Sequence, residues 1–413
     1  MFYYPLTFQP SLSKLASLVA VTPASFLLES QGTIKKGTYS YFGFNPGNIF
    51  TSWINFNQTY NQEKIHHVLK TFPWMGGWMG FVTYENQPWF GSFPMIAVFN
   101  HEDGVWYGVS LTLGEAELLQ WERQLSLALE SISTSPDKPV KSTWILKPNF
   151  LDYSKKIEQI KNYLEAGDIY QANLTEPFQV KTNLLPDQIY LKLKKSSPVH
   201  YAAFLNTGNS FIISSSPELF FSIENATIKT SPIKGTSRCG ENKNEDEKRK
   251  DELLNSAKDR AELLMITDLE RNDLGRVCQY GSVITKTLYR LESLSYVHHL
   301  VADISGKLKG EITLCEVFQA LFPGGSVTGA PKKRAIEILA ELEQSPRGVY
   351  TGALGYVSFD GDATFNLPIR TLTQSLDTVY FNAGGGIVID SKADLEFEEL
   401  MLKVSRIRKA LEL

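Results

Sequence analysis

Short runs of aromatic and β-branched residues, broken by Gly, Pro and Asn, fill the first 113 residues or so; Tyr39–Phe44, Trp78–Tyr84 and Met95–Phe99 are examples. This pattern predicts an antiparallel, β-rich region. From Glu115 to Ile132 the period changes, and Leu118, Leu119, Trp121, Leu125 and Leu129 fall at helical spacing. Ser133-Thr134-Ser135-Pro136-Asp137-Lys138-Pro139 reads as a linker. Beyond about residue 148, long helical stretches alternate with strands. Asn255 to Leu274 predicts one helix, closed by Gly275 at C′, and Phe397 to Leu411 predicts another. Strands are expected at Ala202–Leu205, Phe211–Ser214, Gly355–Phe359 and Thr378–Asn382. Runs of strands between long helices predict a mixed α+β fold, not a regular βαβ repeat. The expected division is a β-rich region over 1–140 and a second region over 148–413.

Composition narrows the function classes. The 413 residues are 43% hydrophobic and 21% charged, which suits a globular protein with a large core. A formal net charge of -4 without a dense Lys/Arg stripe argues against nucleic acid or an anionic membrane as partner. No apolar run of about 18 residues is present, and the start lacks a basic n-region. Cys239, Cys278 and Cys315 are far apart and odd in number, so they do not read as a disulfide framework or a zinc site. A reducing cytoplasm is the expected compartment.

Several residues carry candidate chemistry. Asp259 and Glu262 stand three apart on one predicted helix, and Glu396 and Glu399 on another. That spacing puts each pair on one helical face. Two such faces brought together make an oxygen pocket suited to Mg²⁺, which commonly takes one or two carboxylates; a solvated acidic face paired with Lys258 and Lys403 is the plainer alternative. The run Gly324 to Pro331 leads into a helix, with Pro331 suited to N1. A helix start attracts anions, but Ala330 and Pro331 stand where a P-loop needs Lys and Ser/Thr. Gly384-Gly385-Gly386 meets the end of a strand and would let a carboxylate approach backbone amides, or mark a bulge or a close strand crossing. Arg370 could clamp a carboxylate or serve a structural ion pair. Lys234 stands alone between Ile233 and Gly235; desolvation would make its amine a nucleophile, whereas most lysines are simply solvated. His299 suits acid/base or orienting work, or a satisfied structural position.

Taken in order, these stretches resemble the chorismate-utilising enzymes: the first components of anthranilate synthase and aminodeoxychorismate synthase, and the isochorismate and salicylate synthases. The resemblance is dense from about residue 148 to 411. It includes Gly167 to Thr175, Ser214 to Glu218, Pro232 to Thr236, Lys258 to Arg276, Gly325 to Lys332, Arg370-Thr371, Gly384 to Gly386 and Glu396 to Glu399. A weaker match covers Leu27 to Ser30, Tyr39-Ser40 and Pro73 to Gly80, like a shortened form of the family's N-terminal region. The fold so implied is two large antiparallel sheets packed as a sandwich with helices outside.

The resemblance also implies roles. Glu262 and Glu399 match the principal Mg²⁺ carboxylates, with Asp259 and Glu396 in support. Tyr350, Arg370, Gly384, Gly385 and Lys403 match substrate-binding positions, and Thr236 lines the pocket. Glu218 matches the acid that protonates the departing 4-hydroxyl, and His299 the active-site histidine. Family enzymes that add water carry a Lys base where this chain has Gln171. An amide cannot take a proton from water at neutral pH, so Gln171 points to amination. Anthranilate synthases usually carry Ala where this chain has Lys234, which in many aminodeoxychorismate synthases is a covalent nucleophile. The implied activity is amination of chorismate at C4 for 4-aminobenzoate and folate synthesis. Ammonia would come from a separate glutamine amidotransferase subunit, because no glutaminase region with a cysteine nucleophile is evident. No lyase follows Leu413, so release of 4-aminobenzoate would fall to another enzyme. Two positions depart from the pattern: Ser237 to Gly240 is not the common basic form, and Leu400 replaces the usual Thr. Family members can bind tryptophan in the N-terminal region, where Ser30 and Tyr39 lie. The rival readings are anthranilate synthase component I and a non-catalytic regulatory subunit; the latter would have lost its metal carboxylates.

Overall fold

The computed structural model describes residues 1–31, 38–65, 69–132, 139–293, 297–310 and 312–413. The expected linker at 133–139 therefore lies, except for Pro139, outside the described residues. Two antiparallel sheets, of 12 and 10 strands, form the body, as the α+β sandwich expectation requires.

Alternation along the strands makes this a layered structure. In Tyr201–Asn206 and Phe211–Ser216, Ala203, Leu205 and Ile212 face the core shared by the two sheets. Phe204 and Ile213 point the other way, into a second core under the outer helices. Neighbouring strand residues project to opposite faces, so both sides of this sheet need cover. The inter-sheet core is rich in aromatics. Trp74 stacks on Tyr356 with centroids 4.4 Å apart, and Phe56 stacks on Phe90 at 4.5 Å. Such pairs add about 0.5–1.5 kcal/mol each beyond simple burial.

Residues from both halves of the chain share each sheet. Ser25–Glu29 pairs with Tyr201–Asn206 in the larger sheet, and Gly77–Val82 pairs with Ala353–Ser358 in the smaller. Helices Leu12–Val21, Glu115–Glu130, Phe150–Glu165, Pro186–Ser196, Lys332–Leu342 and Ala393–Leu411 contribute to the outer core. Lys243–Asn255 and Ala257–Val277 flank the smaller sheet, where Leu253 and Leu263 meet Leu300 and Ala302.

Three local expectations need correction. Gly275 is not a C′ residue: the helix runs to Val277 and stops where Cys278 bridges Leu308. Tertiary contact there outweighs the cost of about 1 kcal/mol for a helical glycine. Pro331 is the N-cap, extended at ψ 137, and Lys332 is the first helical residue. The triple glycine is neither a loop nor a bulge. Thr378–Ile387 continues through it, with Gly384, Gly385 and Gly386 paired to Thr175, Leu174 and Asn173.

Candidate active site

The site begins at a bulge. Strand Ile233–Arg238 slips register against Val297–Lys307 between Lys234 and Thr236. Gly235 makes the slip possible with φ +73 and by lacking a side chain: a Cβ there would lie 2.9 Å from Asp259 Cβ. The strand thus presses against the start of helix Ala257–Val277, which Ser256 fixes by capping Asp259 N–H at 3.2 Å. Half-buried Lys234 reaches in, its Nζ 3.3 Å from Ser326 O. Burial drives its pKa below the ordinary lysine value, against the opposing pull of Glu262, Glu218 and Glu399. Alanine at Gly235 is expected to destabilise the fold by roughly 1–2 kcal/mol from backbone handedness alone, and to displace Lys234. Thermal melts check this; an unchanged midpoint would mean the bulge tolerates a side chain.

The four helical acids come from two elements. Asp259 and Glu262 lie on Ala257–Val277, Glu396 and Glu399 on Ala393–Leu411. Glu262 is raised above its usual pKa, first by burial, with Asp259 and Glu399 adding to it. Glu399 is lowered, chiefly by Lys403, whose Nζ is 2.8 Å away. Lys403 also donates to Gly384 O at 2.9 Å, and Ser391 Oγ donates to Glu396 at 2.7 Å. A Cβ on Gly385 would sit 3.4 Å from Lys403 Nζ and 3.6 Å from Glu396 Oε2, so bare backbone faces the acids there. Oxygen donors from two helices, with Glu399 within electrostatic reach of Glu262 and Glu396 beside the bare Gly385 backbone, are of the kind Mg²⁺ takes. Lys258 lies 3.9 Å from Glu262, so the expected lysine pairings are also present.

Glu218 lies within electrostatic reach of Lys234. It is 6% exposed and accepts from Ser326 Oγ at 2.9 Å. Burial raises its pKa, while Ser326, Lys234 and Arg370 oppose the rise. A carboxyl biased towards its protonated form can act as a general acid. His299 is buried, with Nδ1 2.9 Å from Thr236 Oγ1, and its Nε2 has no protein partner among the described residues. Burial, then Arg370, lowers its pKa to about 4, so the ring is neutral at pH 7. The unfolded chain therefore takes up this proton first, and the contribution to stability is lost as pH falls from about 6.5 to about 4. Denaturant midpoints of wild type and His299→Asn should diverge over that window; parallel curves would refute the buried neutral ring.

Tyr350 is buried, its pKa raised to about 12 by desolvation, and its hydroxyl meets the Gly384 backbone. Gln171 is 1% exposed, and neither amide atom has a protein partner among the described residues. A Cβ on Gly386 would lie 2.7 Å from Gln171 Nε2, which explains that third glycine. Thr236 is exposed as a residue, yet its hydroxyl is bonded to His299. Arg370 has φ +53 and exerts its charge on both Glu218 and His299.

Three residues carried no role in the sequence reading. Ser326 sat inside the Gly325 to Lys332 match. Glu270, in the same helix as Glu262, accepts from Thr230 Oγ1 at 2.6 Å and is pushed up to about 8 by burial. Arg347 is 4% exposed and bonds Glu343, Val327 O, Asn173 O and Thr351, tying the Ser326 turn to the Gln171 strand. Its Pro-Arg-Gly context was the available signal. Ser30 and Tyr39 line a separate cavity of about 420 Å³, with Tyr201 and Tyr356.

The profile of the family described as chorismate binding enzyme matches residues 31–409. The chain belongs to this family. It is similar to aminodeoxychorismate synthase component 1 of Bacillus subtilis, with 34% identity across 96% of this chain and 89% of the relative. It is 41% identical to the Escherichia coli protein of the same name, over 70% of this chain and 64% of that relative, just under two thirds of its length. Anthranilate synthase component I from Streptococcus pneumoniae TIGR4 has a similar structure, with TM-score 0.80 and 27% identity, covering 91% of this chain and 93% of that one. Like that chorismate binding enzyme structure, this chain is a mixed fold of helices and antiparallel sheets. No helix among its described residues is long and apolar enough to cross a membrane.

Proposed function

We propose that this chorismate binding enzyme is an aminodeoxychorismate synthase component 1, converting chorismate and ammonia to 4-amino-4-deoxychorismate and water. The observation that carries the reading is Lys234: a lysine of lowered pKa, on a glycine bulge, among Glu262, Glu399 and Glu218. The names of the Bacillus subtilis and Escherichia coli relatives support the same product.

Lys234, in its neutral form, attacks C2 of chorismate. The ring double bond shifts, the C4–O bond breaks, and Glu218 delivers the proton with which the hydroxyl leaves as water. Ammonia then attacks C4, the double bond shifts back, and the C2–N bond to Lys234 breaks. The pyruvyl ether survives, and one proton returns from the added ammonium to Glu218. Two displacements replace one hard substitution. Glu262 and Glu399 would hold Mg²⁺, with Asp259 and Glu396 in support, and the ion when bound would neutralise charge on the ring carboxylate. Lys403, Tyr350, Arg370 and the Gly384-Gly385 backbone orient the substrate. Neutral His299, held by Thr236, presents Nε2. Gln171 cannot generate hydroxide, which favours ammonia over water.

The rate should rise with pH as Lys234 sheds its proton and fall as Glu218 loses its own. A glutamine amidotransferase subunit supplies the ammonia. The Cys278 thiol, buried and raised to about 11, is no glutaminase nucleophile.

The deciding experiment incubates purified protein with chorismate, Mg²⁺ and ammonium, with and without a 4-aminobenzoate-forming lyase. A product that needs the lyase supports the proposal; fluorescent anthranilate without it would favour anthranilate synthase. A regulatory subunit would make neither, a reading that the four retained acids oppose.

A further inference from the structure

Where the strand carrying Lys234 ends, the chain builds a second cluster that the amination chemistry leaves unused. Cys239 follows strand Ile233–Arg238, Asp246 lies in the first turn of helix Lys243–Asn255, and His298 lies on strand Val297–Lys307. One ligand atom from each, a thiol sulfur, a carboxylate oxygen and an imidazole nitrogen, lies within 4.8 Å of the others. His298 is 2% exposed and its ring is oriented from both sides. Nδ1 is 2.8 Å from Ser293 Oγ, and Nε2 is 2.8 Å from Asp246 Oδ1.

We infer that Cys239, Asp246 and His298 form a binding site for a borderline-soft divalent cation of the Zn²⁺ type, distinct from the carboxylate pocket. The donor set selects the ion: sulfur, nitrogen and one oxygen suit Zn²⁺, whereas Mg²⁺ takes oxygen. A thiolate and a carboxylate with a neutral imidazole balance the charge of a dication. Zinc bonds of about 2.0–2.3 Å place tetrahedral ligand atoms roughly 3.3–3.8 Å apart. Small side-chain shifts reach that arrangement, with Nε2 and Oδ1 parting slightly and the thiol closing in.

The surrounding hydrogen bonds suit the role. In this structure Nε2–H donates to Asp246 Oδ1 and Nδ1 accepts from Ser293 Oγ; the ion would displace the Nε2 proton, and Nδ1–H would then donate to Ser293, an outer partner of the kind that commonly fixes a ligating histidine. The Gly240 N–H donates to Asp246 Oδ1 at 2.8 Å, and Lys250 holds Oδ2 at 2.8 Å, so the carboxylate is aimed before any ion arrives. Lys250 also weakens it as a donor, which sets the site below a structural zinc centre in affinity. Cys239 and Asp246 are only partly buried, so an ion can reach them. Binding requires the thiolate, so it displaces a proton and tightens as pH rises. The ion would pin the strand end beyond Lys234 and Thr236 to the residue beside His299. The inference does not depend on which product the enzyme makes.

The test uses full-length protein stripped by a chelator and titrated with Co²⁺, then Zn²⁺. A single equivalent of Co²⁺ should give near-ultraviolet thiolate-to-cobalt absorption, and Zn²⁺ should raise the thermal midpoint. Cys239→Ser should abolish the absorption and the thermal shift, while Cys315→Ser keeps both. His298→Gln should weaken binding at least about tenfold; if it does not fold, Cys239→Ser decides alone. Retention of the absorption in Glu262→Gln separates this site from the carboxylate pocket. Absence of the absorption at stoichiometric Co²⁺, the result expected of a purely hydrogen-bonded cluster, overturns the inference. So does absorption that survives Cys239→Ser.

Discussion

Replacing Lys234 with alanine is expected to cut formation of 4-amino-4-deoxychorismate from free ammonium by on the order of 10²–10⁴-fold, the range typical of losing one catalytic group. The variant keeps Glu218, the helical acids and the substrate-orienting groups, so chorismate should still bind. What disappears is the amine that opens the two-step route. Any residual turnover should shift towards direct addition at C2, seen as anthranilate fluorescence that needs no lyase. The substitution also removes a buried cation facing Glu218 and Glu262, so both acids should titrate higher. Undiminished 4-amination would take Lys234 out of the mechanism, and trapping of a substrate adduct on the wild-type side chain would establish it directly.

The second large effect is expected at the helical acids. Glu262→Gln and Glu399→Gln keep shape but delete charge, and each should lower kcat/KM by at least about 10²-fold, with the Mg²⁺ activation curve moved to higher concentration. The two variants should differ in one respect. Glu262 is the strongest of the charges holding the Lys234 pKa up; without it the amine titrates lower, and the ascending limb of the pH profile moves to lower pH. Glu399→Gln should instead free Lys403, its closest ion-pair partner. Chelation of wild type should reproduce the activity loss without the pH shift. Unchanged Mg²⁺ dependence in both variants would remove the ion from this pocket.

Much of the candidate site's geometry was legible because its residues obey local rules. Carboxylates three apart on an amphipathic helix must share a face, so the pairing of Asp259 with Glu262 and of Glu396 with Glu399 followed from spacing. Lys234 was visible as a lone amine beside a glycine, yet only the fold supplies Asp259 behind Gly235 and Ser326 O in front. The glycine triplet misled only in suggesting a bulge, because glycine commonly signals irregular backbone. Here the strand is regular, and the missing side chains make room for Gln171 and Lys403. Gly275 misled for a related reason, since a distant bridge decides where that helix stops. The Pro-Arg-Gly context marked Arg347 but could not give its role: Glu343 and Thr351 are near neighbours, whereas Val327 O and Asn173 O come from separate stretches of the chain.

The interleaving of the sheets bears on how the chain reaches its native form. Ser25–Glu29 must find Tyr201–Asn206, and Gly77–Val82 must find Ala353–Ser358, across long stretches of the polypeptide. Closing such large loops precedes any reward from the contacts, which slows acquisition of structure. Until then both receiving strands present open hydrogen-bonding edges, available to neighbouring molecules. Recovery from denaturant should therefore be slow and should worsen with concentration, with assistance during synthesis mattering more than final stability.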